Sequence, residues 1–191
     1  MKKYLESSEY IDWDQPEILA HAKYLSDVES GKVEIAKKCF EFVRDEIKHS
    51  WDYRLDPETY RASDVLAQGT GYCYAKSHLL AALLRANNIP AGLCYQRLTI
   101  TDVPPFCIHG LNAVYLDGFG WYRIDARGNR KGVFAEFSPP HEKLAFPIVT
   151  PGEVDFKEIW SEPLSIVIDV LKRSKNYQDV ADNLLDVEVV G

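Results

Sequence analysis

From Lys32 to about Lys48 the apolar residues Val33, Ala36, Cys39, Phe40, Val43 and Ile47 recur three and four positions apart. That spacing lines one face of an amphipathic helix. Cys39 lies on this face and reads as a small buried side chain. An earlier helix starts at Asp14-Gln15-Pro16-Glu17, with Asp14 as N-cap and Pro16 near the first helical position. It runs to about Ser26, and Glu29-Ser30-Gly31 interrupts the chain before the second helix. His49 to Tyr60 is a polar-aromatic loop in which Pro57 blocks helix continuation. Ala62 to Ala67 reads as a short helical turn capped by Ser63 or Asp64. From about Cys73 to Asn87 apolar residues fall on most faces, the pattern of a helix placed centrally. Asn87-Asn88-Ile89-Pro90 ends it.

Beyond Pro90 the period changes. Ala91 to Ile100 is rich in strand formers, and Thr101 to Phe106 is a loop. Gly110–Leu116 and Trp121–Asp125 then flank Asp117-Gly118-Phe119-Gly120, which predicts a hairpin. A final strand is expected around Glu142 to Val149, an irregular stretch from Pro151 to Glu162, and helices over Leu164 to about Lys172 and Tyr177 to Leu185. Helices, then an antiparallel sheet, then helices make an α+β domain whose central helix packs on the sheet.

Composition narrows the function classes. With 191 residues the chain can bury a sizeable core, and 46% apolar with 27% charged residues is ordinary for a globular protein. A net charge of −7 argues against a general nucleic-acid binder, which carries a basic stripe. No segment is apolar and long enough to span a bilayer, so no membrane partner is expected. Met1-Lys2-Lys3-Tyr4-Leu5-Glu6-Ser7 lacks the apolar run of a signal peptide. Cys39, Cys73, Cys94 and Cys107 form no CxxC pair and read as reduced thiols of a cytoplasmic protein.

The chemistry centres on Gly69-Thr70-Gly71-Tyr72-Cys73, which runs straight into the central helix. Free N–H groups and the positive end of the helix dipole converge at Cys73, a place that favours the nucleophilic thiolate. Acyl transfer by cysteine also needs a base, a group that orients the base, and donors for an oxyanion. Of the five histidines, His78 lies five residues past Cys73 and points away from it. His21 sits on a surface-type helix, His49 at a helix C-terminus where an imidazolium is comfortable without function, and His141 in a loop. His109 opens a strand, and Asp125 closes the neighbouring one. The two share a sheet face only if the hairpin loop is odd in length. Even then the simplest three-residue loop pairs Asp125 with Ala113, so a bulge or a longer loop must shift the register. Cys107-Ile108-His109 resembles half a metal site but has no second pair at ligand spacing, so neither metal nor cofactor is assigned. Tyr72, Tyr74 and Trp121 are candidates to line a substrate groove, with aromatic core filling as the competing reading.

Gly71-Tyr72-Cys73-x-x-Lys76, followed by Leu79-Leu80-Ala81-Ala82-Leu83-Leu84-Arg85, His109 opening a strand and Trp121-Tyr122-Arg123-Ile124-Asp125, resembles the transglutaminase-like superfamily. These are papain-fold cysteine enzymes that include transglutaminases, peptide N-glycanases and bacterial cysteine proteases. The resemblance spans about residues 35–130 and takes in Phe42–Ile47 and Ala62–Gly69. It implies a papain-like α+β fold in one domain over 1–191, with a core at about 32–130, a helical lead-in at 1–31 and an extension at 131–191. It also implies Cys73 as nucleophile, His109 as base and Asp125 as orienting acid. Gln68 or Trp51 would supply a second oxyanion donor. The family's tryptophan and acidic residue soon after the histidine are missing from His109-Gly110-Leu111-Asn112-Ala113. The function so implied is hydrolysis of peptide or side-chain amides through a Cys73 thioester, with a peptide or protein as substrate. A transglutaminase joining glutamine to an amine, and an inactive interaction module that keeps the fold, stand as alternatives. Oligomeric state is left open.

Overall fold

The helix that is apolar on most faces becomes the centre of the molecule. A computed structural model describes residues 1–26 and 31–188. Its helices are α1 (Pro16–Leu25), α2 (Lys32–Asp45), α3 (Ser50–Tyr53), α4 (Ala62–Gln68), α5 (Cys73–Ala86), α6 (Ser165–Arg173) and α7 (Tyr177–Asp182). Its strands are β1 (Lys48–His49), β2 (Thr70–Gly71), β3 (Ala91–Thr99), β4 (Phe106–Leu116), β5 (Gly120–Ile124) and β6 (Val154–Asp155). Helix α5 is buried along its whole length from Cys73 to Arg85. It rests on β3 and β4 on one side and on α1, α2 and α4 on the other. A helix without a solvent face has no use for a polar stripe. Its buried Arg85 instead spends its donors on the carbonyls of Glu6, Ala91 and Ser161, which ties both ends of the chain to the core.

The antiparallel sheet runs in the order β5-β4-β3-β6. Ala36, Cys39, Phe40 and Val43 of α2 are buried as the period requires, and Ile47 is buried beyond the helix end. The helix stops at Asp45 rather than near Lys48 because the backbone there is claimed by another partner. Lys48 and His49 pair in parallel with Thr70 and Gly71, and the Lys48 N–H donates to the Gly69 carbonyl at 2.9 Å. The capping expectations also shift. Gln15, not Asp14, occupies the N-cap of α1. Helix α4 is capped neither by Ser63 nor by Asp64; the carboxylate of Asp12, from far upstream, accepts from the Ser63 N–H at 3.0 Å and its hydroxyl at 2.5 Å. The expected break at Glu29-Ser30-Gly31 falls largely on residues outside the described ones.

The loop from His49 to Tyr60 contains the one-turn helix α3. The strand expected over Glu142–Val149 does not form; that segment makes an isolated bridge between Glu136 and Lys143. The fourth strand is β6, inside the stretch expected to be irregular. Two residues are too few to show an alternating period. Among the described residues no helix is long and apolar enough to cross a membrane.

Candidate active site

Helix α4 ends at Gly69, whose left-handed backbone (φ 65°) turns the chain through β2 into α5. Cys73 is the first residue of α5, after Tyr72 in extended conformation. Strand β4 passes across this helix end. The Gly110 N–H points at the Cys73 sulfur, 3.5 Å away. A Cβ on Gly110 would lie 2.9 Å from Tyr74 Cδ1 and 3.2 Å from Tyr74 Cα. Only a residue without a side chain lets the strand approach so closely. Gly110→Ala is therefore expected to destabilise the protein by about 1–3 kcal/mol, the usual range for overpacking. It should also slow alkylation of Cys73, because the strand that moves carries His109. Unchanged stability and reactivity in that variant would contradict the packing argument.

The hairpin resolves the register. Leu116 pairs with Gly120, leaving a three-residue loop, Asp117–Phe119, one position earlier than the simplest reading. Asn112 pairs with Ile124. One further step puts Asp125 opposite Leu111, on the face of His109 two residues along. No bulge is needed. His109 Nε2 and Asp125 Oδ2 are 2.8 Å apart, both side chains buried. The expectation that His109 opens its strand is not met: β4 begins at Phe106, and His109 lies inside it. Asp125 also accepts from the backbone N–H groups of Arg127 and Ala145, each at 3.1 Å. The Phe146 ring meets the imidazole edge-on at 5.0 Å between centroids. With Nε2 committed to Asp125, Nδ1 is the ring nitrogen left for the Cys73 sulfur, whose charge favours the protonated ring.

Burial alone would push His109 down, but the Asp125 carboxylate and then Cys73 outweigh it and raise the ring to about 10. Burial likewise pushes Asp125 up, yet the His109 charge and the hydrogen bonds to its carboxylate hold it below the ordinary value. The unfolded ring titrates near 6.5. Its contribution to stability is therefore whole below pH 6.5 and vanishes as pH rises through about 10. The Asp125 contribution is whole above 3.8, the unfolded value, and vanishes as pH falls. Lys76, pushed down by burial to about 7, regains stability over the same alkaline span. A difference measurement removes that opposing effect. The margin by which the native protein exceeds His109→Gln in urea stability should shrink from pH 6 to pH 10, and a pH-independent margin would refute the assignment.

The remaining candidates divide. Cys73, His109, Trp51, Tyr72 and Tyr74 line one cavity of about 300 Å³, together with apolar residues such as Ile100, Ile108 and Phe146. Tyr72 and Tyr74 also serve the fold, since their hydroxyls donate to the carbonyls of Tyr177 and Ile108. Trp51 is 44% exposed, with its ring against Tyr177. Gln68 is exposed at the end of α4 and does not line this cavity. Trp121 packs between Tyr4 and Tyr115, away from it. A helix terminus hides which way a nearby glutamine faces, and β5 sends alternate side chains to opposite faces.

Four residues of the site were not singled out from the sequence. His49 is not at a helix C-terminus but is the second residue of β1, buried in the cavity wall against Tyr72. Arg127, two residues past Asp125, donates to both Asp52 oxygens at 2.6 and 3.0 Å. Ala145 and Phe146, which meet Asp125 and His109, come from the segment after residue 130, where the sequence offers no site motif. Only the proximity of Arg127 to Asp125 in sequence offered a signal. His78 is buried against the Tyr60 carbonyl, and burial lowers it to about 4. His141 lies in an exposed loop. Among the described residues no group of three or more His, Cys, Asp or Glu side chains is placed to hold a metal ion.

Comparison with known proteins gives three kinds of result. The model of the transglutaminase-like superfamily matches residues 20–126, more than half of the chain. No protein of curated function matches. Among solved structures, a "Putative Cysteine Protease" from Cytophaga hutchinsonii aligns with TM-score 0.52 at 22% identity, over 65% of this chain and 40% of that one. A "Putative Protease" from Parabacteroides distasonis aligns with TM-score 0.46 at 16% identity, over 77% of this chain and 30% of that one. A protein described as a "TGase" aligns with TM-score 0.44 at 18% identity, over 95% of this chain and 52% of that one. The chain thus spans about half or less of the length of these proteins, and the likeness to the first shows a shared papain-like α+β fold. Because the family model matches residues 20–126, more than half of the chain and the stretch that holds Cys73, His109 and Asp125, the chain belongs to the transglutaminase-like superfamily.

Proposed function

We propose that the protein is a cysteine-dependent acyl-transfer enzyme that hydrolyses peptide or side-chain amides through a thioester on Cys73. One arrangement carries the reading. A buried imidazole is held by a carboxylate at 2.8 Å, and a sulfur at a helix N-terminus accepts from the Gly110 N–H, lines the same apolar cavity as that ring and acts on it by charge. The raised His109 is an imidazolium at neutral pH, the partner that a thiolate nucleophile requires. The sulfur attacks the amide carbonyl and a C–S bond forms. First-turn N–H groups of α5 face the developing oxyanion, with Trp51 at the cavity wall as the remaining side-chain candidate. His109 passes its proton to the amine as the C–N bond breaks, then takes one from the water that cleaves the thioester. Asp125 keeps the ring oriented through both steps.

Alkylation tests the nucleophile. Burial pushes the thiols of Cys39, Cys94 and Cys107 up to about 12. Iodoacetamide at pH 7 should therefore modify the folded protein once, at Cys73, and His109→Gln should slow that reaction at least about tenfold, as loss of an acid–base partner does. Equal labelling of several cysteines, or no effect of His109→Gln, would overturn the reading. Parallel assays should release free acid from an amide substrate rather than incorporate a labelled amine; predominant incorporation would replace hydrolysis by transfer and keep the thioester.

A further inference from the structure

Behind the wall that carries His49 lies a second cavity, of about 330 Å³. His49, Arg127 and Arg130 line both this cavity and the one that contains Cys73, so the two meet at those residues. The second cavity is cationic, lined by Arg44, Lys48, Arg127 and Arg130 against the carboxylates of Asp45 and Asp52. In a chain of net charge −7 this is a local reversal of sign.

The charges are not mutually satisfied. Asp52 gives both its oxygens to Arg127. Arg130, 53% exposed, approaches the same carboxylate with its Nε at 3.5 Å, so two guanidinium groups share one anion. His49, which lines the two cavities with them, is 6% exposed, and its Nδ1 is buried with no hydrogen-bond partner among the described residues. A buried ring nitrogen without a partner is uncommon unless a ligand or water supplies one. Burial first, then the charges of Arg127, Lys76, His109 and Arg130, keep this imidazole neutral. The ring thus stands where positive charge prevails, in the wall of the cavity that contains Cys73.

We infer that the junction of the two cavities, formed by His49, Arg127 and Arg130, is a subsite for a carboxylate on the acyl substrate, which makes the enzyme selective for acidic peptides. The planar fork of Arg130 suits a carboxylate in geometry as well as charge. The Asp52 carboxylate, fixed by Arg127, preorganises one fork and leaves Arg130 to meet the substrate.

The inference rests on the proposed function in one respect, the reactivity of Cys73, and two alkylating agents separate the two ideas. Iodoacetate and iodoacetamide deliver the same carbon to sulfur and differ in carrying a carboxylate or a neutral amide. The ratio of their rates at Cys73 reads the potential at the site without any substrate. At low ionic strength that ratio should fall about two- to threefold in Arg130→Gln, the factor given by one unit charge roughly 8 Å away in water. It should fall about as much again in Arg130→Glu, while the ratio of the native protein declines as salt is added. Arg130 is half exposed, so both variants should keep the native melting temperature. A ratio that is the same in all three proteins, with Cys73 still labelled, overturns the carboxylate subsite. Failure of iodoacetamide to label Cys73 in the native protein defeats the proposed function itself.

Discussion

Cys73→Ala should fold as the native protein does and form no acyl-enzyme, with turnover reduced at least about 10⁴-fold. Removal of the nucleophile from a cysteine or serine site has consequences of this order, since only binding and oxyanion stabilisation survive. The fold should tolerate the change because the side chain is small and His109 keeps its Asp125 partner at 2.8 Å without the sulfur. Stability within about 1 kcal/mol of the native value is expected. Intact-mass spectrometry after mixing with an amide or activated ester substrate provides the reading. A thioester adduct in the native protein and none in the variant is the predicted pair. Turnover that persists in Cys73→Ala would remove the chemical basis of the proposal, whatever the fold.

Loss of Asp125 should strike stability harder than loss of the nucleophile. This carboxylate is fully buried and accepts three hydrogen bonds, from His109 Nε2 and the backbone N–H groups of Arg127 and Ala145. Asp125→Ala leaves all three donors without a partner where water does not reach, and it leaves the imidazolium uncompensated. Breaking a buried ion pair from one side costs about 3–5 kcal/mol. In a protein of this size that is a fall in melting temperature of about 10 °C. Burial then dominates at His109, so the ring loses its proton at neutral pH and the thiolate loses its counter-charge. Asp125→Asn restores an acceptor but not the charge. It should recover part of the stability while activity stays about 10²–10⁴-fold down, the range for general acid–base groups. If Asp125→Asn matched the native protein in both respects, the carboxylate would be neither anchor nor electrostatic partner.

The division of labour between chain and fold is clearest at single positions. The apolar run from Cys73 to Ala86 has no polar side, so burial of α5 and the placement of Cys73 at its first turn followed from local pattern. The glycines and alternating residues around Asp117–Gly120 likewise declared a hairpin. Such features depend on residues within one or two turns of each other, and a short stretch of sequence contains all the relevant energies. The two-residue strands β1, β2 and β6 were illegible because each exists only through a partner elsewhere in the chain. The cap that Asp12 supplies to Ser63 was invisible for the same reason.

The candidate site shows the same boundary. The identities of Cys73, His109 and Asp125 could be named from residue type, order and family likeness. Whether they touch depended on where the hairpin loop begins, and a shift of one residue reverses every side chain in a strand. The site's surroundings were farther from reach. Local pattern makes His49 a helix-end histidine, whereas pairing of β1 with β2 turns it into the cavity wall. Arg127 acquires its role from Asp52, and Asp125 one of its donors from Ala145, contacts between segments that no local period connects. Composition and periodicity, which are local, determined the elements and their chemistry; long-range packing, which depends on the register and entry angle of every element at once, decided which of those groups share a cavity and with what charge.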